Sequence, residues 1–223
     1  EGRSAEERLR LSREERIAEL ESVRSRIATD LHDDIGASLT QIAVLSEVAQ
    51  TQARNGTFDE GSLTKISDVS NELVGTMSDI VWSINPAKDH LSDLTQRMRR
   101  FAADVLAARS IKFHFAGGET ANQTVIGSNL RREVFLIFKE SINNVAKHSN
   151  AKNVRATLDV AGGHLRLSVE DDGGGFDTSR DDYRTGNGLN NMERRSREMG
   201  GEFSVSSRLD GPTVVVAKFP VES

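Results

Sequence analysis

The sequence predicts an α+β protein: a long helical hairpin that dimerises into a four-helix bundle, followed by an α/β sandwich with a mixed sheet. Three observations carry this. Apolar residues recur at three- and four-residue steps through residues 20–84, a helical period. From residue 111 onward short alternating segments stand between glycine-rich turns, a strand period. Amphipathic helical stretches separate those strands, which sets helices against an antiparallel or mixed sheet.

Taken in order, residues 1–25 are rich in Glu, Arg and Leu, with few breakers. From Leu20 the seam runs through Arg24, Ile27, Leu31, Ile35, Ser38, Ile42, Leu45 and Ala49, in steps of 4, 3, 4, 4, 3, 4, 3 and 4. The extra four-residue step at Ile27–Leu31–Ile35 is a stutter that changes the supercoil locally, and His32 lies within it. Asn55-Gly56 marks a turn. A second helix from about Gly61 to Ile84 presents Leu63, Ile66, Ser70, Leu73, Met77, Ile80 and Ile84, and Pro86 ends or kinks it. One hairpin cannot cover so narrow a seam, so two are expected to pair as a homodimer. The domain boundary is placed near residue 88, giving domains 1–88 and 89–223.

Beyond it a helix is expected over His90–Ser110, a strand over Ile111–Phe115 and a helix over Leu130–His148. Val154–Val160 and Leu165–Val169 form a hairpin about Gly162-Gly163, and Gly188–Met199 a short helix closed by Gly200-Gly201. Phe203–Ser207 and Val214–Phe219 form a last hairpin.

The 223 residues are 28% charged and 36% apolar, with a net charge of −5, which suits one large domain or two small ones with a real core. Basic residues form no stripe with aromatic neighbours, so direct nucleic-acid binding is not expected. The absence of cysteine removes disulfides and thiolate metal sites and fits a reducing, cytoplasmic setting. No apolar run approaches the roughly 20 residues that span a bilayer, so no membrane contact is expected within this stretch. The chain begins at Glu1 already in a helical pattern, and is read as a fragment of something longer, such as the cytoplasmic part of a membrane-anchored sensor.

Three pieces converge on a nucleotide. On the Leu130–His148 helix, Glu140, Asn144, Lys147 and His148 share one face, opposite Val134, Phe135, Phe138, Ile142 and Val145. An Asn carbonyl oxygen suits Mg²⁺, and Lys147 is placed to touch phosphate, although a solvated face explains this piece alone. Next, Glu170-Asp171-Asp172-Gly173-Gly174-Gly175-Phe176 follows a strand. Its glycines let backbone approach a ligand, and a carboxylate before them can accept from an exocyclic amine; a flexible acidic turn is the simpler alternative. Finally, Gly186-Asn187-Gly188-Leu189 opens a helix, where free N–H groups favour phosphate. Each piece is weak alone, and their order and spacing make the set specific.

Residues 128–219 resemble the ATP-binding domain shared by sensor histidine kinases, Hsp90-type chaperones and MutL-type repair ATPases. Glu140-x-x-Asn143-Asn144-x-x-Lys147-His148 is similar to the family's N box, Asp171-x-Gly173-x-Gly175 to its G1 box, and Gly186-x-Gly188 to its G2 box. The resemblance implies ATP and Mg²⁺ as cofactors, with Asn144 on the metal and Asp171 on the adenine amine. It further implies Glu140 near the phosphates and a mobile lid between Phe176 and Thr185. The F box of larger histidine kinases is not evident.

Leu31-His32-Asp33-x-x-Gly36 with Leu39 resembles the phosphoacceptor domain of nitrate-sensor-like histidine kinases, over about residues 20–85. On an ideal helix His32 lies roughly 85° round from the centre of the apolar stripe, on its shoulder. Gly36, one turn on, leaves that flank open, at a cost of about 1 kcal/mol against alanine. A neutral imidazole attacking through Nε2 needs a carboxylate at Nδ1. Spacing leaves Asp30, Asp33 and Asp34 open, since none stands three or four residues away; the resemblance selects Asp33. It also implies phosphotransfer to an aspartate of a response regulator, typically one with a LuxR-type DNA-binding domain. Where many of these kinases carry Gln five residues after the histidine, this sequence has Ala37, so phosphatase activity is expected to be weak. The competing readings are a catalytically inactive dimeric signalling adaptor with a vestigial nucleotide fold, and an ATPase or serine kinase lacking a phosphoacceptor hairpin.

Overall fold

The computed structural model describes residues 10, 35–57, 59–83, 85, 90–117, 124–177 and 187–221. The chain divides into two compact units, 1–85 and 86–223.

In the first unit, helix α1 (Gly36–Arg54) packs against helix α2 (Glu60–Ser83). Gly56, at φ +69°, makes the turn between them, a conformation glycine adopts without a Cβ penalty. Asp59 Oδ1 accepts from Gly61 N–H at 3.0 Å, occupying one of the free donors at the start of α2. Ser62 Oγ donates to Gln52 Oε1 at 3.1 Å across the hairpin. Ile80 is buried and Ile66 and Leu73 half-buried, whereas Leu63 and Met77 are exposed. The single seam expected on the second helix is therefore divided. One edge faces α1, and Leu63, Val74, Met77 and Val81 form an outer apolar stripe. The part of the first helix before residue 35, including the stutter, lies outside the described residues, as does Ile84.

The second unit contains helix α3 (Leu91–Ala107), strand β1 (Lys112–Ala116), helix α4 (Ser128–Asn144), strands β2 (Asn153–Ala161) and β3 (His164–Asp171), helix α5 (Asn187–Glu198), and strands β4 (Glu202–Ser207) and β5 (Thr213–Pro220). The sheet order is β1-β2-β3-β5-β4. Among the described residues only β1 and β2 pair in parallel; the other strand pairs are antiparallel, giving the mixed sheet expected. A parallel neighbour requires a crossover, and α4 supplies it. Gly162 and Gly163, both at positive φ, form the tight turn that a two-residue hairpin favours. Leu91, Leu94, Met98, Ala102 and Leu106 of α3 are fully buried at helical spacing. Val154, Ala156 and Leu158 of β2, Leu165, Leu167 and Val169 of β3, and Ala217 and Phe219 of β5 supply the sheet side of the core.

One element departs from expectation. The helix read as Leu130–His148 is α-helical only to Asn144. Val145–Ser149 then winds as a π-helical turn that ends at Asn150 in the left-handed conformation, φ +54°. Ser149 Oγ donates to Val145 O at 2.9 Å and accepts from Ala151 N–H at 3.0 Å, closing that wider turn. Such turns recur at functional sites, and this one carries Lys147 and His148.

Candidate nucleotide-binding site

Strand alternation places the central acid. Leu165, Leu167 and Val169 point from β3 to the helix side of the sheet, and Asp171, two residues further, falls in the same phase. A carboxylate is thus delivered to the apolar face at the end of the strand, where it is 5% exposed. Asp172 points the other way. Its Oδ1 accepts from Lys152 and Asn153 N–H at 2.8 Å each, and its Oδ2 from Asn153 Nδ2 at 2.6 Å. The two acids are shifted oppositely. Burial raises Asp171 above the ordinary value, the Gly173 N–H bond opposes this, and the neighbouring charges of Asp172 and Glu170 add to it. Hydrogen bonds from Asn153, side chain then backbone, hold Asp172 low.

The glycines after Asp171 are dictated by close approach. A Cβ on Gly173 would collide with Ser149 O and stand 2.7 Å from Asp171 Oδ1. Its absence lets Gly173 N–H reach Asp171 Oδ1 at 2.9 Å and Gly174 N–H reach Ser149 O at 2.8 Å. Gly175 has φ +55°, and a Cβ there would run into the carbonyls of Arg208 and Gly211. Phe176 N–H donates to Ser207 Oγ at 2.9 Å, which fixes the chain as it leaves the strand.

Asp171, Gly175 and Phe176 floor a cleft of about 430 Å³, within the range of small-molecule sites. Glu140, Asn144, Lys147 and His148 line one wall. Gly188 and Leu189, at the start of α5, close the end, and a Cβ on Gly188 would collide with Glu140 Oε1. The structure therefore brings together Glu140, Asn144, Lys147, Asp171, Gly175 and Gly188, with Gly173 directly behind. Asn143 is not part of the lining. His32, Asp33, Gly186 and most of the segment expected to form a lid lie outside the described residues. Val169, Thr213 and Val215, which sequence reasoning did not single out, also line the cleft. Val169 pairs with Val215, and Asp171 with Thr213, in the β3–β5 register. Their signal was the inward phase of both strands.

A buried, partnered carboxylate, a tight glycine turn and a helix N-terminus around one cleft define a nucleotide-binding ATPase fold. Residues 129–223 match the family described as histidine kinase-, DNA gyrase B- and HSP90-like ATPase, and residues 23–89 match that described as histidine kinase. The chain belongs to the sensor histidine kinases. It is 29% identical over 204 residues to the signal transduction histidine-protein kinase/phosphatase UhpB of Salmonella typhimurium, covering 88% of this chain and 40% of that one. It is 28% identical over 205 residues to the sensor histidine kinase DesK of Bacillus subtilis, covering 86% and 50%. The chain spans about half the length of the curated relatives it matches. Among solved structures, the histidine kinase AdeS of Acinetobacter baumannii shares the fold with a TM-score of 0.60 at 16% identity, covering 86% of this chain and 98% of that one. Among the described residues no helix is long and apolar enough to cross a membrane.

Proposed function

We propose that this chain is the kinase core of a two-component sensor. It uses ATP with Mg²⁺ to phosphorylate its own His32, then passes the phosphoryl group to an aspartate of a response regulator, of the kind that carries a LuxR-type DNA-binding domain. The observation that carries this reading is Asp171, a buried carboxylate at the floor of a cleft walled by Glu140, Asn144 and Lys147. In this reading Asp171 accepts from the exocyclic amine of adenine, and Gly173 and Gly175 let the backbone close round the base. The amides about Gly186 and Gly188 meet the phosphates, and Lys147 offsets their charge. The carbonyl oxygen of Asn144 would hold Mg²⁺, a hard cation suited to oxygen ligands that would offset phosphate charge, and Glu140, on the same wall, would help position it.

ATP supplies the γ-phosphoryl group. His32 attacks as a neutral imidazole: the Nε2–P bond forms, the bond from the γ-phosphorus to the bridging oxygen breaks, and ADP leaves. Asp33 accepts from Nδ1–H, holds that tautomer and takes up the proton. The functional division runs 1–88 for dimerisation and phosphoacceptance and 89–223 for nucleotide binding. The exposed stripe of Leu63, Val74, Met77 and Val81 supports a homodimer. The chain works in the cytoplasm as part of a larger sensor, and Ala37 leaves it a weak phosphatase. The test is incubation with γ-labelled ATP and Mg²⁺. Acid-labile label on the wild type and none on His32→Gln is expected; equal labelling of both would overturn the assignment.

A further inference from the structure

The α4–α5 interface carries a device that the nucleotide reading does not use. The two helices run antiparallel: Glu133 meets Arg195, Ser141 meets Met192, and Glu140 meets Gly188. Arg195 stands seven residues beyond Gly188, and Glu133 seven residues before Glu140. Seven residues are close to two turns, so each pair lies on one helix face, about 10 Å apart along the axis. At the far end Arg195 NH1 meets Glu133 Oε2 at 2.7 Å, while Glu133 Oε1 takes Arg132 NH1 at 2.9 Å. The Glu133 side chain is only 7% exposed and that of Arg195 24%, against 57% and 56% for the neighbouring Arg194–Glu198 pair. The exposed pair is an ordinary helix-surface contact. The covered pair fixes one helix against the other, and with it the approach of the α5 N-terminus to Glu140 and Asn144.

We infer that Arg195, through Glu133, is a positioning residue that sets the register of α5, so that its N-terminus is held where the phosphates of the nucleotide lie. It touches no ligand. Its effect is confined to the phosphate end, because Asp171 and the glycine turn stand on β3 and the loop after it. This inference rests on the nucleotide reading above. The experiment titrates ATP with Mg²⁺, and separately adenosine, into wild type, Arg195→Met, Arg195→Lys and Arg194→Met, with thermal melting of each. Arg194→Met removes one positive charge from the same helix and controls for bulk charge.

Arg195→Met is expected to lose about fivefold or more in ATP affinity and less than about twofold in adenosine affinity, the scale of a helix N-terminus acting on an anion. Arg195→Lys restores most of the ATP loss, and Arg194→Met matches the wild type. Equal losses for ATP and adenosine, an unchanged ATP affinity in Arg195→Met, or the same loss in Arg194→Met would each overturn the inference while leaving the nucleotide reading standing. A wild-type chain that binds neither ligand would overturn the nucleotide reading and the positioning role together, and is told apart by the wild-type titration alone.

Discussion

Asp171 and Asp172 are neighbours in sequence that face opposite sides of the sheet, one closing on Gly173 N–H in the cleft, the other gripping Lys152 and Asn153. Their chemistry diverges accordingly. Asp171 is buried and its proton is held more tightly than at the ordinary 3.8, with desolvation the first cause. A carboxyl with a raised folded pKa favours the fold fully below the unfolded value, and that contribution is lost as pH rises through the folded one. Asp172 is depressed, chiefly by its bonds from Asn153. Its contribution is present above 3.8 and lost as pH falls through the depressed value.

Substitution should separate the two. Asp171→Asn removes a desolvated charge, so its melting temperature at pH 7 should equal or exceed the wild type's, with the difference vanishing in acid. Its one acceptor is already engaged by Gly173 N–H, and its amide would face the adenine amine donor to donor. ATP affinity should fall about tenfold or more. Asp172→Ala should keep ATP binding per folded molecule and lose about 1 kcal/mol of stability, a modest figure because the group is exposed. Denaturant melts and nucleotide titrations check both; strong ATP binding by Asp171→Asn would remove Asp171 from the adenine site.

Gly175 and Gly188 are glycines for different reasons. At Gly175 both the positive φ and the carbonyls of Arg208 and Gly211 exclude a side chain. Gly175→Ala should therefore cost about 1–3 kcal/mol of stability, seen in a denaturant melt. At Gly188 the obstacle is the Glu140 carboxylate, the end of a side chain that can move. Gly188→Ala should melt near the wild type yet bind ATP about tenfold more weakly, because the displaced carboxylate disturbs the phosphate wall. A stable Gly188→Ala with undiminished ATP affinity would contradict that placement.

Much of this was legible in the sequence because periodicity and glycine spacing are local signals. The β3 alternation that places Asp171 can be counted directly from Leu165. The π turn at Val145–Ser149 was not legible, since the same apolar positions fit an α-helix, and the wider winding is stabilised by contacts made after folding, such as Gly174 N–H to Ser149 O. Nor were Val169 and Val215 separable from core residues: the cleft is lined by the same sheet face that forms the core, and only three-dimensional packing decides where one stops. The Glu133–Arg195 pair, 62 residues apart, leaves no periodic trace at all.

The outer stripe on α2 makes a prediction about assembly. Val74 and Val81 are seven residues apart and 66% and 64% exposed, an unfavourable surface for an isolated hairpin and the spacing of a bundle seam. Val74→Asp/Val81→Asp should shift the chain from dimer to monomer in analytical ultracentrifugation, weakening association by at least about a hundredfold, because two charges per protomer would be buried without partners. ATP binding by 89–223 should be unaffected. A double variant that stays dimeric at wild-type concentration dependence would place the dimer surface elsewhere.

At the phosphoacceptor end the proposed base, Asp33, is separable from folding and from nucleotide binding. Asp33→Asn should fold and bind ATP as the wild type does, yet autophosphorylate at least about a hundredfold more slowly, since an amide cannot take the proton from Nδ1. Unimpaired labelling would move the base to Asp30 or Asp34. Ala37 lies on the solvent side of α1, and its methyl cannot orient a water. Mixed with phosphorylated regulator and ADP, the wild type should therefore remove phosphate slowly. Ala37→Gln should speed that loss by about a hundredfold, the lower end of the range for a positioned proton-transfer group. Rapid dephosphorylation by the wild type would show that the water is oriented by a different side chain.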